Sequence, residues 1–278
     1  MRNSLARSFR SPLLKCILVI VGSTFLSTYL SELIPFHKLP LSHFWKVIVE
    51  RSVESSLIVA AMCLFYPSAL ERFQLKASKQ KLLISLGLVA YLTFPSLIDF
   101  HILRNPVATI LEGFVFAIFI GINEEIVSRG LIFSALEQYG VWIAATISSV
   151  HFGLLHLGNE IWGGQSWSYT SAQILSAGAF GFLCVGLMLY TGNIWIPILL
   201  HGLSDTPMQF ETRAKFVSEV TGNPHWLPTI ALSGVYCAIG WGFIQFSHPD
   251  RGKRFDSFFR NLWNDLLPAS FNSSDHSK

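Results

Sequence analysis

Charge is what this chain has least of. Only 13% of its 278 residues are Asp, Glu, Lys or Arg, against about 25% in an ordinary soluble domain. Between Ile161 and Ser204 there is none at all. Such scarcity excludes a fold that meets water on every side. The net charge of +3 is small and no basic patch forms, which sets nucleic acid aside as a partner. Cysteine is sparse too. Cys16, Cys63, Cys184 and Cys237 lie in or beside apolar runs with no CxxC among them. Neither a disulfide framework nor a zinc ribbon is expected, because free Cys packs as a small hydrophobe. HExxH is absent as well, removing one helical zinc signature. No internal repeat of the kind common in transporters is visible.

What is present is apolar: 51% of the residues are hydrophobic and 14% aromatic. A membrane-crossing helix needs about 20 mostly apolar residues. Eight segments qualify: about Leu13 to Ile34, Val53 to Leu70, Leu82 to Ile98, Pro106 toward Glu124, Val141 to Leu157, Thr170 to Tyr190, one from Ile194 carrying His201, and Trp226 to Phe246. Glu50, Arg51 and Glu54 crowd the start of the second and weaken it. Gly192-Asn193 divides the sixth from the seventh. Ala177, Gly178, Gly181 and Gly186 offer a small-residue face for close helix contact. Arg2, Arg7, Arg10 and Lys15 precede the first apolar run without a clean cleavage site, which reads as an uncleaved first helix.

The expected fold class is therefore all-α: a polytopic membrane helix bundle of about eight transmembrane helices. The basic residues orient it. Twelve fall on the side of the N-terminus (Arg2, Arg7, Arg10, Lys15; Arg72, Lys76, Lys79, Lys81; Arg251, Lys253, Arg254, Arg260) and five on the other (Lys38, Lys46, Arg104, Arg213, Lys215). Both termini are thus expected in the cytoplasm. The organisation expected is three N-terminal spans in 1–105, a core in 106–210, a last span in 211–250 and a polar tail in 251–278.

Ionisable groups inside apolar spans are costly and are functional suspects for that reason. They gather in three places. In Asn123-Glu124-Glu125-Ile126-Val127-Ser128-Arg129, Glu125 and Arg129 are i and i+4 and can pair on one helix face. Glu124 lies about one residue's rotation away without a local cation. Phe152 and His156 repeat the i, i+4 spacing, so the ring can orient the imidazole. His151, beside them, reads as a structural histidine. His201 and Asp205 are again i and i+4, an arrangement in which the acid can hold one imidazole tautomer. A register argument joins the first two groups. Glu124 and His156 each stand 16 residues from Gly140, a natural helix stop. In an antiparallel pair they share a depth, roughly 24 Å from the turn at 1.5 Å per residue. An acid and an imidazole at one depth can hold a water between them.

The motifs EExxxR, FxxxH and HxxxD in that order, as Glu124-Glu125-xxx-Arg129, Phe152-xxx-His156 and His201-xxx-Asp205, resemble the CPBP family of intramembrane proteases, also called the CAAX prenyl protease 2 or Abi family. The resemblance covers about residues 106–206. It implies a glutamate-dependent endopeptidase inside the bilayer. Carried over, Glu124 activates a water, His156 positions it, His201 and Asp205 stabilise the oxyanion, and Glu125, Arg129 and Phe152 support the site. The family's last position is most often Asn. An ionised Asp205 would repel an oxyanion, so it acts protonated or by orienting His201.

The resemblance implies no cofactor. Zinc held by Glu124, His156 and His201 is the disfavoured alternative, and a non-proteolytic membrane scaffold on the same fold is the other. The expected partners are the lipid bilayer and a membrane protein or lipid-anchored peptide as substrate. Compact length without a targeting peptide points to a bacterial plasma (inner) membrane, crossed several times.

Overall fold

A computed structural model of the chain describes residues 12–98, 102, 104–210 and 213–247. The basic N-terminal arginines and the polar tail of 251–278, used above for orientation, lie outside these residues. Every regular element among the described residues is helical. The principal ones are α1 (Pro12–Leu33), α2 (His43–Phe65), α3 (Lys79–Leu97), α4 (Val107–Glu125), α5 (Val141–Leu155), α6 (Trp167–Thr191), α7 (Trp195–Asp205), α8 (Arg213–Thr221) and α9 (Trp226–Ser247). Helix α4 runs on through a π-helical stretch, Ile126–Ile132, into Phe133–Leu136. The protein is a multi-pass membrane helix bundle. Five helical stretches are long and apolar enough to cross a bilayer: Lys79–Leu97, Val107–Tyr139, Val141–Ile161, Trp167–Thr191 and Trp226–Ser247. Helix α1 adds a shorter apolar run, Leu13–Ser27. Leu83, Tyr91, Leu227 and Phe246 stand exposed on the outside, as lipid-facing positions do.

Two segments differ from the sequence expectation. The second begins ten residues earlier, at His43, and ends at Phe65, because Pro67 opens a 3-10 turn. The seventh is only 11 residues long. At 1.5 Å per residue it reaches about 16 Å, roughly half of a hydrocarbon core. It stops at Asp205 because Pro207 follows and cannot continue a helix.

Helix α6 is central. Leu183 to Met188 are buried in six consecutive positions, so no face of that stretch is free. Glycines set the closest approaches. A Cβ at Gly153 on α5 would lie 2.6 Å from the Ile174 carbonyl of α6. Gly186 of α6 meets Gly240 of α9 the same way, at 2.7 Å. Gly121 of α4 meets Gly202 of α7, its added Cβ falling 2.9 Å from the Gly202 nitrogen. That last contact seats the short helix against the glutamate pair. Two turns behave as the sequence suggested. Gly140, at φ 121°, ends the long fourth stretch. Gly192 takes the left-handed conformation at φ 72°, and the Asn193 side chain accepts from the Trp195 N–H at 3.1 Å to start α7.

Candidate active site

The deepest layer is Glu125 with Arg129. Both side chains are fully buried, and Arg129 Nε lies 3.1 Å from Glu125 Oε2. The guanidinium sits 4.6 Å above the Phe152 ring, a cation–π arrangement that strengthens on desolvation. Gly181 leaves room for it, since a Cβ there would come within 2.8 Å of Arg129 Nη2. Phe152 also meets His156 and His201 at right angles, with centroids 5.4 and 5.6 Å apart. Phe180 closes on His201 from another side at 5.4 Å.

Hydrogen bonds define the imidazoles. His156 Nδ1 lies 3.1 Å from the Phe152 carbonyl oxygen. A carbonyl only accepts, so Nδ1 carries the hydrogen and Nε2 of the neutral ring is an acceptor. His201 Nδ1 lies 2.8 Å from Glu125 Oε1. Its Nε2 faces Glu124 Oε2 at 3.6 Å and Asp205 Oδ2 at 3.4 Å. Glu125 therefore takes Nδ1, while Asp205, which the i, i+4 spacing suggested as the group holding the ring, faces Nε2. Asp205 shares the other nitrogen with Glu124. Both carboxylates are about a third exposed, at 28% and 34%, while Glu125 is sealed at 0%. The acids thus divide into one structural and two accessible.

Glu124, His156, His201 and Asp205 line one cavity of about 520 Å³, with Asn123 and Ser128 beside them. The volume lies within the usual range for ligand pockets. The shared depth of Glu124 and His156 about Gly140 accords with their common cavity, although His156 caps α5 instead of standing inside it. His151 does not line the cavity. Thr24 spends its hydroxyl hydrogen on the Ile20 carbonyl at 2.7 Å, so it accepts from His151 Nε2 at 2.8 Å. Among the described residues no three His, Cys, Asp or Glu groups stand close enough to hold one metal ion.

Sequence reasoning missed two features. The π-helical stretch directly after Glu125 contains Ser128 and Arg129; such irregularities are frequent at functional sites but have no simple sequence signal. Ser27 of α1 and Arg51 of α2 also reach the cavity wall. Here a signal existed. One of the charges that weakened the second span, Arg51, is turned toward the site.

A polar, cavity-lining constellation stands inside the apolar helix bundle of a multi-pass membrane protein. Residues 106–206 match the family model described as type II CAAX prenyl endopeptidase Rce1-like. The matched stretch carries all three motifs, and over it the chain is similar to the CAAX prenyl endopeptidases, a family of membrane proteases. No curated protein and no solved structure gave a match.

Proposed function

We propose that this protein is an intramembrane endopeptidase that hydrolyses a peptide bond through a water activated by Glu124. The observation that carries the reading is the division of labour among the acids. Glu125 is sealed against Arg129 and His201, while Glu124 faces the cavity shared with His156, His201 and Asp205.

The steps follow from that arrangement. A water between Glu124 and His156 Nε2 gives one hydrogen bond to each. Glu124 takes a proton as the water oxygen attacks the scissile carbonyl carbon, a general-base step. The carbonyl oxygen becomes an oxyanion, and His201 Nε2–H donates to it. Asp205 supports that donor from the same side. As the carbon–nitrogen bond breaks, Glu124 returns its proton to the departing amine. The products are an amine and a carboxylic acid that releases the second water proton to solvent as it ionises, and the glutamate is regenerated. No step requires a cofactor.

The family description names a prenyl endopeptidase acting on CAAX sequences. A peptide bearing an S-prenyl cysteine near its C-terminus is therefore the first substrate class to test. Lipid attachment would bring the scissile bond to a site inside the bundle.

The experiment is cleavage of an S-farnesyl CAAX peptide by purified protein in lipid nanodiscs, with and without chelator. In parallel, membrane peptides are compared between wild-type and Glu124→Gln cells. The expected result is cleavage that survives chelation and falls on the order of 10²-fold or more in the variant. Loss of activity on chelation, restored by zinc, overturns the metal-free mechanism. An unchanged membrane proteome in the variant, with no peptide cleaved by the wild type, overturns proteolysis itself.

A further inference from the structure

Arg51 is the one Lys or Arg among the described residues lining the cavity. It belongs to α2, outside the family-matched residues 106–206. Its Nη1 donates to Glu54 Oε2 at 2.8 Å. Glu54 is 1% exposed, and its other oxygen accepts from Ser27 Oγ at 2.5 Å. Both carboxylate oxygens of Glu54 are therefore engaged, and the acid acts as a fixed clamp. The clamp occupies one of the five N–H donors of the guanidinium. Arg51 remains 31% exposed.

Its place relative to the glutamate is also set. Ser55 stands one helical turn beyond Arg51 on the same face. It accepts from Asn123 Nδ2 at 3.2 Å, and Asn123 is the residue before Glu124. Arg51 therefore sits about one turn, roughly 6 Å along the helix axis, from the point where α2 touches the active-site helix. The cavity wall therefore carries both signs of charge, Glu124 and Asp205 as acids and Arg51 as a fixed cation.

We infer that Arg51 docks the C-terminal carboxylate of the substrate peptide and so fixes the chain direction across Glu124. The inference rests on the peptidase reading above. A planar guanidinium already held through one edge is suited to a carboxylate. A substrate anion is repelled by Glu124 and Asp205 and attracted at Arg51, so a peptide entering with its free terminus has one favourable polarity. Cleavage then falls a short, fixed distance from the C-terminus.

The test compares two S-farnesyl peptides of one sequence, one ending in a free carboxylate and one in a carboxamide. The wild type should prefer the acid by roughly ten- to a hundredfold in kcat/KM, the size of one charge-assisted contact, with the change mainly in KM. Arg51→Gln keeps a donor for Glu54 and should bring the acid-to-amide ratio to about one. Arg51→Lys should keep part of it. A carboxamide peptide with Asp as its last residue separates the two sources of carboxylate; full rescue by it overturns the terminal assignment in favour of an acidic side chain. Equal use of acid and amide by the wild type overturns the inference, and so does an unchanged ratio in folded Arg51→Gln. Should Arg51→Gln fail to fold, the wild-type and Arg51→Lys ratios decide. Affinity of the two peptides for the Glu124→Gln protein, measured without turnover, gives the same comparison when no cleavage occurs. An acid preference in binding with no cleavage by the wild type would leave the docking role standing and strike the peptidase reading alone.

Discussion

Replacing Glu125 by Gln tests the deepest layer of the site. The carboxylate and the Arg129 guanidinium are both fully buried. Among the described residues Arg129 Nη1 and Nη2 have no hydrogen-bond partner, so Glu125 and the Phe152 face compensate the cation between them. Glu125→Gln removes the charge and leaves the cation. Removing one member of a buried pair typically costs about 3–5 kcal/mol. The Phe152 contact, worth about 2 kcal/mol when desolvated, stays in place, so the expected loss lies near the lower end, about 3 kcal/mol. That is a large part of a total stability of about 5–15 kcal/mol. The double variant Glu125→Gln/Arg129→Met removes the orphaned cation and should recover most of it, to within about 1 kcal/mol of wild type. Activity should not recover, because His201 Nδ1 has lost its carboxylate. Denaturant unfolding in one detergent gives the stabilities, and peptide cleavage gives the activity. A single-variant loss below about 1 kcal/mol, or a double variant no more stable than the single, would refute the argument that this ion pair is a mutual compensation of buried charges.

Two further outcomes follow from the packing. Gly202→Ala puts a Cβ 2.9 Å from Ile118 Cα; it should cost about 1–3 kcal/mol and lower kcat at least tenfold by prising α7 from α4. Gly186→Ala, an equally tight contact away from the cavity, is the control and should lose stability with kcat nearly intact; equal kcat losses in both would separate helix seating from catalysis. His151→Leu removes the donor to Thr24 at a cost of about 1–2 kcal/mol, and kcat should stay within about twofold in the peptide assay, since His151 does not line the cavity. A tenfold fall would place it in the chemistry.

The three motifs were legible because each is local. Spacing of i and i+4 on a helix puts two side chains on one face whatever surrounds them. Glu125 meets Arg129, Phe152 meets His156, and His201 faces Asp205 accordingly. The contact between Glu125 and His201 spans 76 residues of sequence and depends on how closely α7 approaches α4. The pairing of Gly121 with Gly202 permits that approach, and two glycines among 20 do not announce each other. The short seventh helix was readable in principle. Pro207 stands two residues after Asp205, and a proline there is a stop signal that apolar run length alone overlooks. The role of Arg51 was hidden for the opposite reason. Charges near the start of an apolar segment weigh against a span, and nothing local says that they face a cavity.

The geometry around His201 recasts the difficulty with Asp205. A neutral imidazole has one N–H, and Nδ1 spends it on Glu125. Nε2 would then turn a lone pair toward Glu124 at 3.6 Å and Asp205 at 3.4 Å. Three negative or lone-pair-bearing groups converging on one point are mutually repulsive. One additional proton relieves this, whether on Nε2 or on one of the two carboxyls. Glu124 must be ionised to accept a proton from water, so in the proposed mechanism the additional proton belongs to the His201–Asp205 pair. On Nε2 it makes an imidazolium whose charge offsets Asp205 and whose N–H is available to the oxyanion. On Asp205 it makes a carboxylic acid that donates to the oxyanion directly, as an amide at that position would. Either placement gives the pair a donor and removes the bare anion. In the proposed mechanism the repulsion expected from the sequence is relieved when the two side chains act as one unit holding a single proton, with Glu125 engaging Nδ1.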